Sequence, residues 1–420
     1  PADDPSADCG ADCYIGPDGS ETIWFDTLHQ DDAEDPGDTT TFPAIQNTRY
    51  SRSGNYLRLR KVGANREIDF PNGEIHRFDS TGKLMSIRDR AGAGDDIAVS
   101  YGLTSYTITD RHNRTTTVNL LGASYYGTKV GSVVVPAFGG ATATYTFEYV
   151  DQSLPRACPH NDPAMSTHIT VPLLTAIVLP DGSRFAMPLA DYHLDASVHC
   201  KLPGTLKGLT LPTLGKIEWA FGEYKFPTSP GERLHRTNAM GVLNRTVKDA
   251  NGAVLGTWSY LPELKPVVPA KPLEAIRTIT TPLGDKTEHY FSVGSESSGV
   301  PGWTIREYGL PFSREESDGA GRFRSTKVYE CNPTCTVKRA TYLAFEMDTA
   351  AIITNDVQFD SSLNRRVASS GTSFLDDGNR FAASDFSGHD GLGHHRTVIL
   401  SGNFGAGDTR TIFTNFNPTR

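Results

Sequence analysis

No stretch of this chain approaches the roughly 18 consecutive apolar residues of a membrane-spanning helix. Its longest apolar runs, residues 133–138 and 171–179, are the length of strands. Methionine is scarce, with 5 in 420 residues, and extended Ala/Leu/Glu/Lys stretches are missing, which argues against a helix bundle. There is no basic excess: 40 Lys and Arg stand against 49 Asp and Glu, a formal charge of -9. A binder of nucleic acid or of an anionic membrane surface carries the opposite balance, so neither partner is expected. The short basic run of Arg58, Arg60 and Lys61 reads as a solvated strand face.

Signature chemistry is missing too. The chain has no His-Glu-x-x-His zinc motif, no Gly-x-Ser-x-Gly elbow, no Gly-x4-Gly-Lys-Ser/Thr phosphate loop and no dinucleotide fingerprint. A carboxylate pair for glycoside cleavage meets only in the fold, and among 49 acidic residues any nominated pair would be arbitrary. No catalytic residue, cofactor or metal is assigned. His389, His394 and His395 form a candidate metal set, as do His193 and His199 beside Asp195, but exposed turn polarity is the simpler reading. The acidic run 31–38 lacks the Asp-x-Asp-x-Asp-Gly order of a calcium loop and reads as a solvated loop.

What the chain has is β-structure and turns. Forty Gly and 26 Pro accompany many Thr, Tyr and Phe. Residues 56–60 alternate apolar and polar, as do 66–70. Pro71-Asn72-Gly73 then makes a turn and residues 74–78 return, which is a hairpin. The four tryptophans, Trp24, Trp219, Trp258 and Trp303, each sit in an apolar strand pattern and read as packing rather than sugar platforms.

The six cysteines fall into pairs, Cys9/Cys13, Cys158/Cys200 and Cys331/Cys335. An even number in an acidic, β-rich chain suits disulfides and an oxidising compartment. The alternatives are free thiols and zinc held by the two Cys-x3-Cys pairs, whose spacing is poor for a zinc knuckle.

One turn unit recurs: Asp, two residues, then Gly or Asn. It appears at Asp79/Gly82, Asp89/Gly92, Asp110/Asn113, Asp249/Gly252, Asp318/Gly321 and Asp390/Gly393. An Asp carboxylate accepts backbone N–H groups inside its own turn, and Gly or Asn supplies a positive φ. Six copies point to an internal repeat whose aspartates shape turns. The pattern fades between residues 120 and 240, where Pro180-Asp181-Gly182 is a further turn and 204–216 has no clear period. Residues 262–272 are Pro-rich and suggest a linker or long loop.

The segment Phe78-Asp79-Ser-Thr-Gly82-Lys83-Leu84-Met-Ser-Ile87-Arg-Asp89-Arg90 resembles the RHS/YD repeat, with an aromatic-Asp pair before x-x-Gly-Arg-Leu-x-x-Ile-x-Asp. Residues 106–118 look like the next copy, and Asp390-Gly-Leu-Gly393 is similar to the late repeats. Phe78 stands where the family has Tyr, and Lys83 and His394 where it has Arg. The resemblance is close over 66–120 and diffuse over 50–400. It implies a long antiparallel sheet spiralling into a shell, and secretion. The family's C-terminal cap motif and toxin domain are missing, so the resemblance implies part of a larger parent protein.

The resulting expectation is an all-β chain, a large twisted antiparallel sheet of β-hairpin repeats able to curl into a partial shell. Its divisions are an acidic segment 1–48, repeats 49–265 with a degenerate middle, and further repeats 266–420. The expected role is a secreted or cell-surface scaffold and not an enzyme. Its partners would be the rest of a parent chain or further copies. The alternatives are an adhesive module for a glycan or cell-surface protein and, less favoured, a hydrolase.

Overall fold

The computed structural model describes residues 14–16, 21–22, 24–25, 47–51, 55–90, 94, 96–124, 127–155, 168–194, 202–225, 238–264, 273–293, 320–346, 366–389, 393–405 and 407–414. They form β-strands joined by turns, with two short 3-10 turns, Phe138–Gly140 and Leu189–Asp191. The first strands are brief: β1 (Tyr14–Ile15), β2 (Glu21–Thr22), β3 (Trp24–Phe25), β4 (Thr48–Ser51), β5 (Arg58–Val62), β6 (Asn65–Asp69), β7 (Ile75–Phe78), β8 (Leu84–Arg88), β9 (Ile97–Tyr101) and β10 (Ser105–Asp110). Most later strands are longer: β11 (Thr115–Ser124), β12 (Gly127–Pro136), β13 (Thr142–Pro155), β14 (His168–Val178), β15 (Arg184–Ala186), β16 (Gly208–Thr210), β17 (Lys216–Lys225), β18 (Asn238–Lys248) and β19 (Val254–Leu264). The series ends with β20 (Leu273–Thr280), β21 (Lys286–Val293), β22 (Ala320–Cys331), β23 (Cys335–Glu346), β24 (Arg366–Phe374), β25 (Arg380–His389), β26 (His395–Gly402) and β27 (Arg410–Phe413).

Strands β3 to β27 pair antiparallel in sequence order, each with the next, in one sheet, while β1 and β2 form a separate hairpin. The all-β, twisted-sheet expectation is met. Among the described residues no backbone ladder joins β27 to β3, so the sheet is open. It runs unbroken through the position drawn as a boundary at 265/266, because β19 and β20 pair from Ser259↔Thr280 to Leu264↔Ala275. It also begins inside the segment set apart as 1–48, with Trp24 opposite Ser51.

Strict alternation of direction gives the sheet two unlike rims. Connections from an even to an odd strand all lie on one rim, here called lower. Most are short: 70–74, 110–114, 137–141, 179–183, 211–215, 249–253, 281–285, 332–334 and 375–379, with 52–57, 89–96 and 403–409 somewhat longer. Strand ends followed from odd to even lie on the upper rim, and beyond β12 most are separated by long stretches of sequence: 156–167, 187–207, 226–237, 265–272, 294–319 and 347–365.

The wall is thin. Every residue of β7 and β10 is half-buried, so neither sheet face is fully covered there. Fully buried residues run along β20–β25, among them Ile276, Tyr290, Ser325, Tyr342 and Ala368, and also occur in two patches where a described element lies on the sheet. Tyr14 of the β1–β2 hairpin and Trp24 pack with Phe70 and Phe78 on Leu57, Leu59 and Ile68. On the other face of the same strands, Arg58, Asp69, Arg60, Glu67 and Arg77 form a chain of ion pairs between 2.7 and 3.1 Å. Higher up, the segment 187–194, which follows β15, packs on β13 and β14, burying Met187 and Tyr192 against Leu154 and Leu173. Asp191 anchors it to Lys216 at 2.7 Å and occupies the space that a Cβ on Gly208 would need.

The two ends of the sheet meet. Gly393, on the upper rim between β25 and β26, packs so tightly on Pro71 and Tyr56 that a Cβ there would lie 3.0 Å and 3.2 Å from them. His394 Nε2 donates to the Pro71 carbonyl at 2.9 Å across 323 residues. Tyr56 and Pro71 belong to the lower rim, before β5 and between β6 and β7. The upper rim of the late strands therefore seats on the lower rim of the early ones. The sheet makes a spiral offset by one wall height, and that offset places the edges β3 and β27 out of register for a closing ladder.

Candidate functional site

The recurring turn is one structure built from several sequences. In residues 79–83 the Asp79 N–H donates to the Lys83 carbonyl at 2.9 Å and Gly82 N–H to the Asp79 carbonyl at 3.0 Å. Asp79 Oδ1 then accepts Thr81 N–H at 2.8 Å, Thr81 Oγ1–H at 2.7 Å and Lys83 N–H at 3.0 Å. Asp110 repeats this with His112 and Arg114 N–H at 2.9 and 3.0 Å, and Asp249 with Asn251 and Ala253 N–H, both at 2.8 Å. The fourth position holds a positive φ: Gly82 +85°, Asn113 +60° and Gly252 +84°.

The same backbone pattern closes 70–74, 179–183, 211–215 and 281–285, where the first residue is Phe70, Leu179, Leu211 or Thr281 and the second is Pro. Proline sets the φ of that position, and Gly73, Gly182, Leu214 and Gly284 take the positive φ. Leu214 is the odd member: an L-residue with φ +67° and 68% exposed. Leu214→Gly should raise stability by about 0.5–1 kcal/mol, since the left-handed region costs a Cβ-bearing residue more than glycine loses in chain entropy. A higher urea midpoint at unchanged slope is the expected reading.

Other predicted turns differ. Asp89 N–H donates to Asp96 Oδ2, and this connection closes through Asp96 N–H on the Ile87 carbonyl, a wider loop than the five-residue unit. Gly321 lies inside β22, because the ladder with β21 extends to Ala320, so it is no turn residue. Gly393 has φ +95° and serves the seam. Gly92, Asp318 and Asp390 lie outside the described residues, as do Cys9, Cys13, Cys158, Cys200, His199 and Trp303. Cys331 and Cys335 form a disulfide across the β22–β23 turn.

Three places gather reactive side chains. The first is an open basin of about 370 Å³ on the lower rim, lined by Glu74, Asp89, Asp96, Asp110, Arg111, His112 and Arg114. Its carboxylates are engaged: Glu74 with His76 at 2.5 Å, Asp96 with Arg111 at 3.4 Å, and Asp110 with Arg114 at 2.6 Å. The bond from the Arg114 side chain, then the backbone N–H groups, hold the Asp110 carboxyl down to about 2 from its ordinary 3.8. Because that pKa is depressed in the fold, the support it lends is present above pH 3.8 and lost as pH falls toward about 2. Corrected for the intrinsic pH dependence of exchange, amide protection at His112 and Arg114 should fall as pH drops across that window and stay level above it.

The second place joins β21 to β22. Glu288 Oε2 accepts the Tyr329 hydroxyl at 2.6 Å and also the Tyr290 hydroxyl. Burial, then the bond to Glu288, pushes Tyr329 up to about 12 and Tyr290 further still. These phenols remain protonated donors and Tyr290 is 2% exposed, so the group is a cross-strand clasp rather than a nucleophile and base.

The third is the seam. His389 is buried, and its ring lies 4.8 Å from Tyr56 and 5.1 Å from its cross-strand partner His395, which in turn lies 5.3 Å from Phe386. His394 turns away to Pro71, so the three histidines considered as a metal set do not converge. No group of three metal-ligating side chains occurs among the described residues. Sequence reasoning missed the seam because its halves lie more than 300 positions apart. The one local signal was Gly393, whose need for a small residue comes from Pro71 and Tyr56.

No helix among the described residues is long and apolar enough to cross a membrane. No protein-family model and no curated protein matches this chain. Among solved structures it is similar to a porin-like protein from Bacteroides uniformis, at 10% identity over 83% of this chain and 94% of that one, with a TM-score of 0.16.

Proposed function

We propose that this chain is a structural wall segment of the RHS/YD type, which encloses or displays other material and transforms no substrate. The observation that carries this reading is the spiral seam, where Gly393 and His394 seat on Pro71 and Tyr56 and turn an open sheet into an enclosing one. The five-residue turn that recurs along the lower rim, at 70–74, 110–114, 179–183, 211–215, 249–253 and 281–285, supports it as a repeated hairpin unit. The Cys331–Cys335 disulfide supports a secreted or cell-surface setting. The wall's partners are then the remainder of a parent chain or further copies of itself.

Small-angle X-ray scattering tests the reading. A hollow wall has a radius of gyration above the ~22 Å of a compact globule of this length. Its maximum dimension falls well short of the ~115 Å that these strands would span side by side in a flat sheet. Values matching a solid globule or a flat sheet would contradict the proposal.

A further inference from the structure

Two turns of the lower rim break the residue rule that the other five-residue turns follow. At the third position those turns carry Asn72, Thr81, His112, Asp181, Thr213 and Asn251, but Leu283 stands there in 281–285. At the fourth they carry Gly73, Gly82, Asn113, Gly182, Gly252 and Gly284, but Leu214 stands there in 211–215, with φ +67°. These two leucines are 88% and 68% exposed. The core gains nothing from either, and Leu214 also strains its backbone. A local rule broken at a cost in stability marks a surface with another use.

The turn that lies between them in the sheet, 249–253, keeps the rule, but the two residues after it are apolar. Val254 and Leu255 are 60% and 67% exposed, and a register shift in the β18–β19 ladder leaves Leu255 without a cross-strand partner. The three turns pack side by side. A Cβ on Gly215 would lie 3.0 Å from the Lys248 carbonyl, and one on Gly256 would lie 2.6 Å from the Pro282 ring. Leu214, Val254, Leu255 and Leu283 therefore make one apolar strip along the rim below β16–β21. Polar tips bound it, Asp181-Gly182-Ser183 on one side and Asn332-Pro333-Thr334 on the other.

We propose that this strip is a self-association surface, through which two copies of the chain pair lower rim to lower rim. The inference rests on the wall reading, whose partners include further copies, and gives that partner a surface. The exposures leave roughly 500 Å² of apolar area in the strip, at the upper end of the largest patch on an ordinary monomer. Two strips face to face bury roughly 1,000 Å² in all, the least that a specific contact needs. The charges at the edge are of both signs. Lys216 pairs with Asp191 and Glu218, and Lys248 with Glu218, at 2.6–3.5 Å, while Lys286 stands beside Asp285. The strip holds no aromatic side chain and no basic excess, so it lacks the anchors of a surface that enters an anionic bilayer. An aliphatic centre edged by both charge signs suits a protein interface, and a two-fold contact requires only that the strip match itself.

Sedimentation equilibrium of the whole chain, from about 1 to about 200 µM at about 0.15 M salt, tests the strip. The wild type should pass reversibly from monomer to dimer, half-paired between about 10 and about 100 µM, as suits so small an interface. Leu214→Gly and Leu283→Asn each restore a residue that the other turns carry, so the fold is kept. Each should raise the dissociation constant at least about tenfold, and the double variant should stay monomeric. Their urea midpoints, taken at about 1 µM, should equal or exceed that of the wild type, which separates a lost contact from a lost fold. A wild type that is monomeric throughout overturns the proposal, as does pairing that the double variant retains. Binding of a monomeric wild type to phosphatidylcholine vesicles, lost in the double variant, assigns the strip to lipid and overturns it too. None of these failures touches the wall reading if scattering from dilute monomer shows the hollow profile. A solid or flat profile removes the wall reading whether or not copies pair.

Discussion

A Gly393→Val variant is expected to open the seam while leaving the rest of the sheet paired. Two costs add at this position. Gly393 has φ +95°, where a β-branched residue is strained by about 1–2 kcal/mol. Its new Cβ would lie 3.0 Å from the Pro71 ring and 3.2 Å from Tyr56 Cβ, and overpacking against rigid neighbours costs about 1–3 kcal/mol more. The spiral can relieve both by undocking, so the loss should appear locally. Exchange at residues 55–57 and 393–396 should accelerate by about 100-fold, the equivalent of about 2.7 kcal/mol. Gly82→Val is the control. Gly82 has φ +85° but open space around it, so valine there strains one turn and touches no distant strand. If the two variants behave alike, the seam contact has no role in closing the wall.

The second large effect concerns the upper rim. Glu346 ends β23 and Arg366 begins β24, on either side of the long 347–365 connection, and they face each other in the ladder. Arg366 Nε donates to Glu346 Oε1 at 2.8 Å, with side-chain exposures of 8% and 20%. Arg366→Ala leaves a mostly buried carboxylate without that guanidinium and should cost about 2–3 kcal/mol. This is below the range for fully buried pairs because Glu346 keeps some solvent. Replacing both partners, Glu346→Gln with Arg366→Met, should recover most of the loss, since the penalty comes from the stranded charge rather than from a missing attraction. Chemical denaturation of Arg366→Ala, of the singles Arg366→Met and Glu346→Gln, and of the double variant measures the coupling. Equal losses in Arg366→Met and in the double variant would show that the Glu346 charge is not the source of the penalty.

The turn chemistry was readable because it is local. Asp79, Asp110 and Asp249 each satisfy their own turn's N–H groups within four residues, so their spacing carries the structure. The turns at 211–215 and 281–285 adopt the same backbone through a different device, a proline at the second position, and a search for Asp-x-x-Gly passes over them. Asp318/Gly321 matched the pattern where strand structure wins: Gly321 lies within β22, at the irregularity between the Arg322 and Ala320 pairings with β21. The fading of the repeat after residue 120 has a structural cause. Over residues 66–114 both rims carry short connections, so the period is tight. Beyond β12 most upper-rim connections lengthen and only the lower rim keeps the unit. The seam lay beyond reach for another reason. Its contacts pair residues 56 and 71 with 389–394, and only the accumulated twist and offset of the strands between brings them together.

The most direct test of the spiral is the distance between its two ends. Spin labels at Asn72→Cys, an exposed position on the lower rim between β6 and β7, and at Thr397→Cys in β26, read it by pulsed electron resonance. If the late upper rim seats on the early lower rim, the separation is under about 30 Å, a few strand residues from the Gly393–Pro71 contact. A narrow distribution there is the predicted result. A separation approaching ~95 Å, the span of the intervening strands laid side by side, would contradict it.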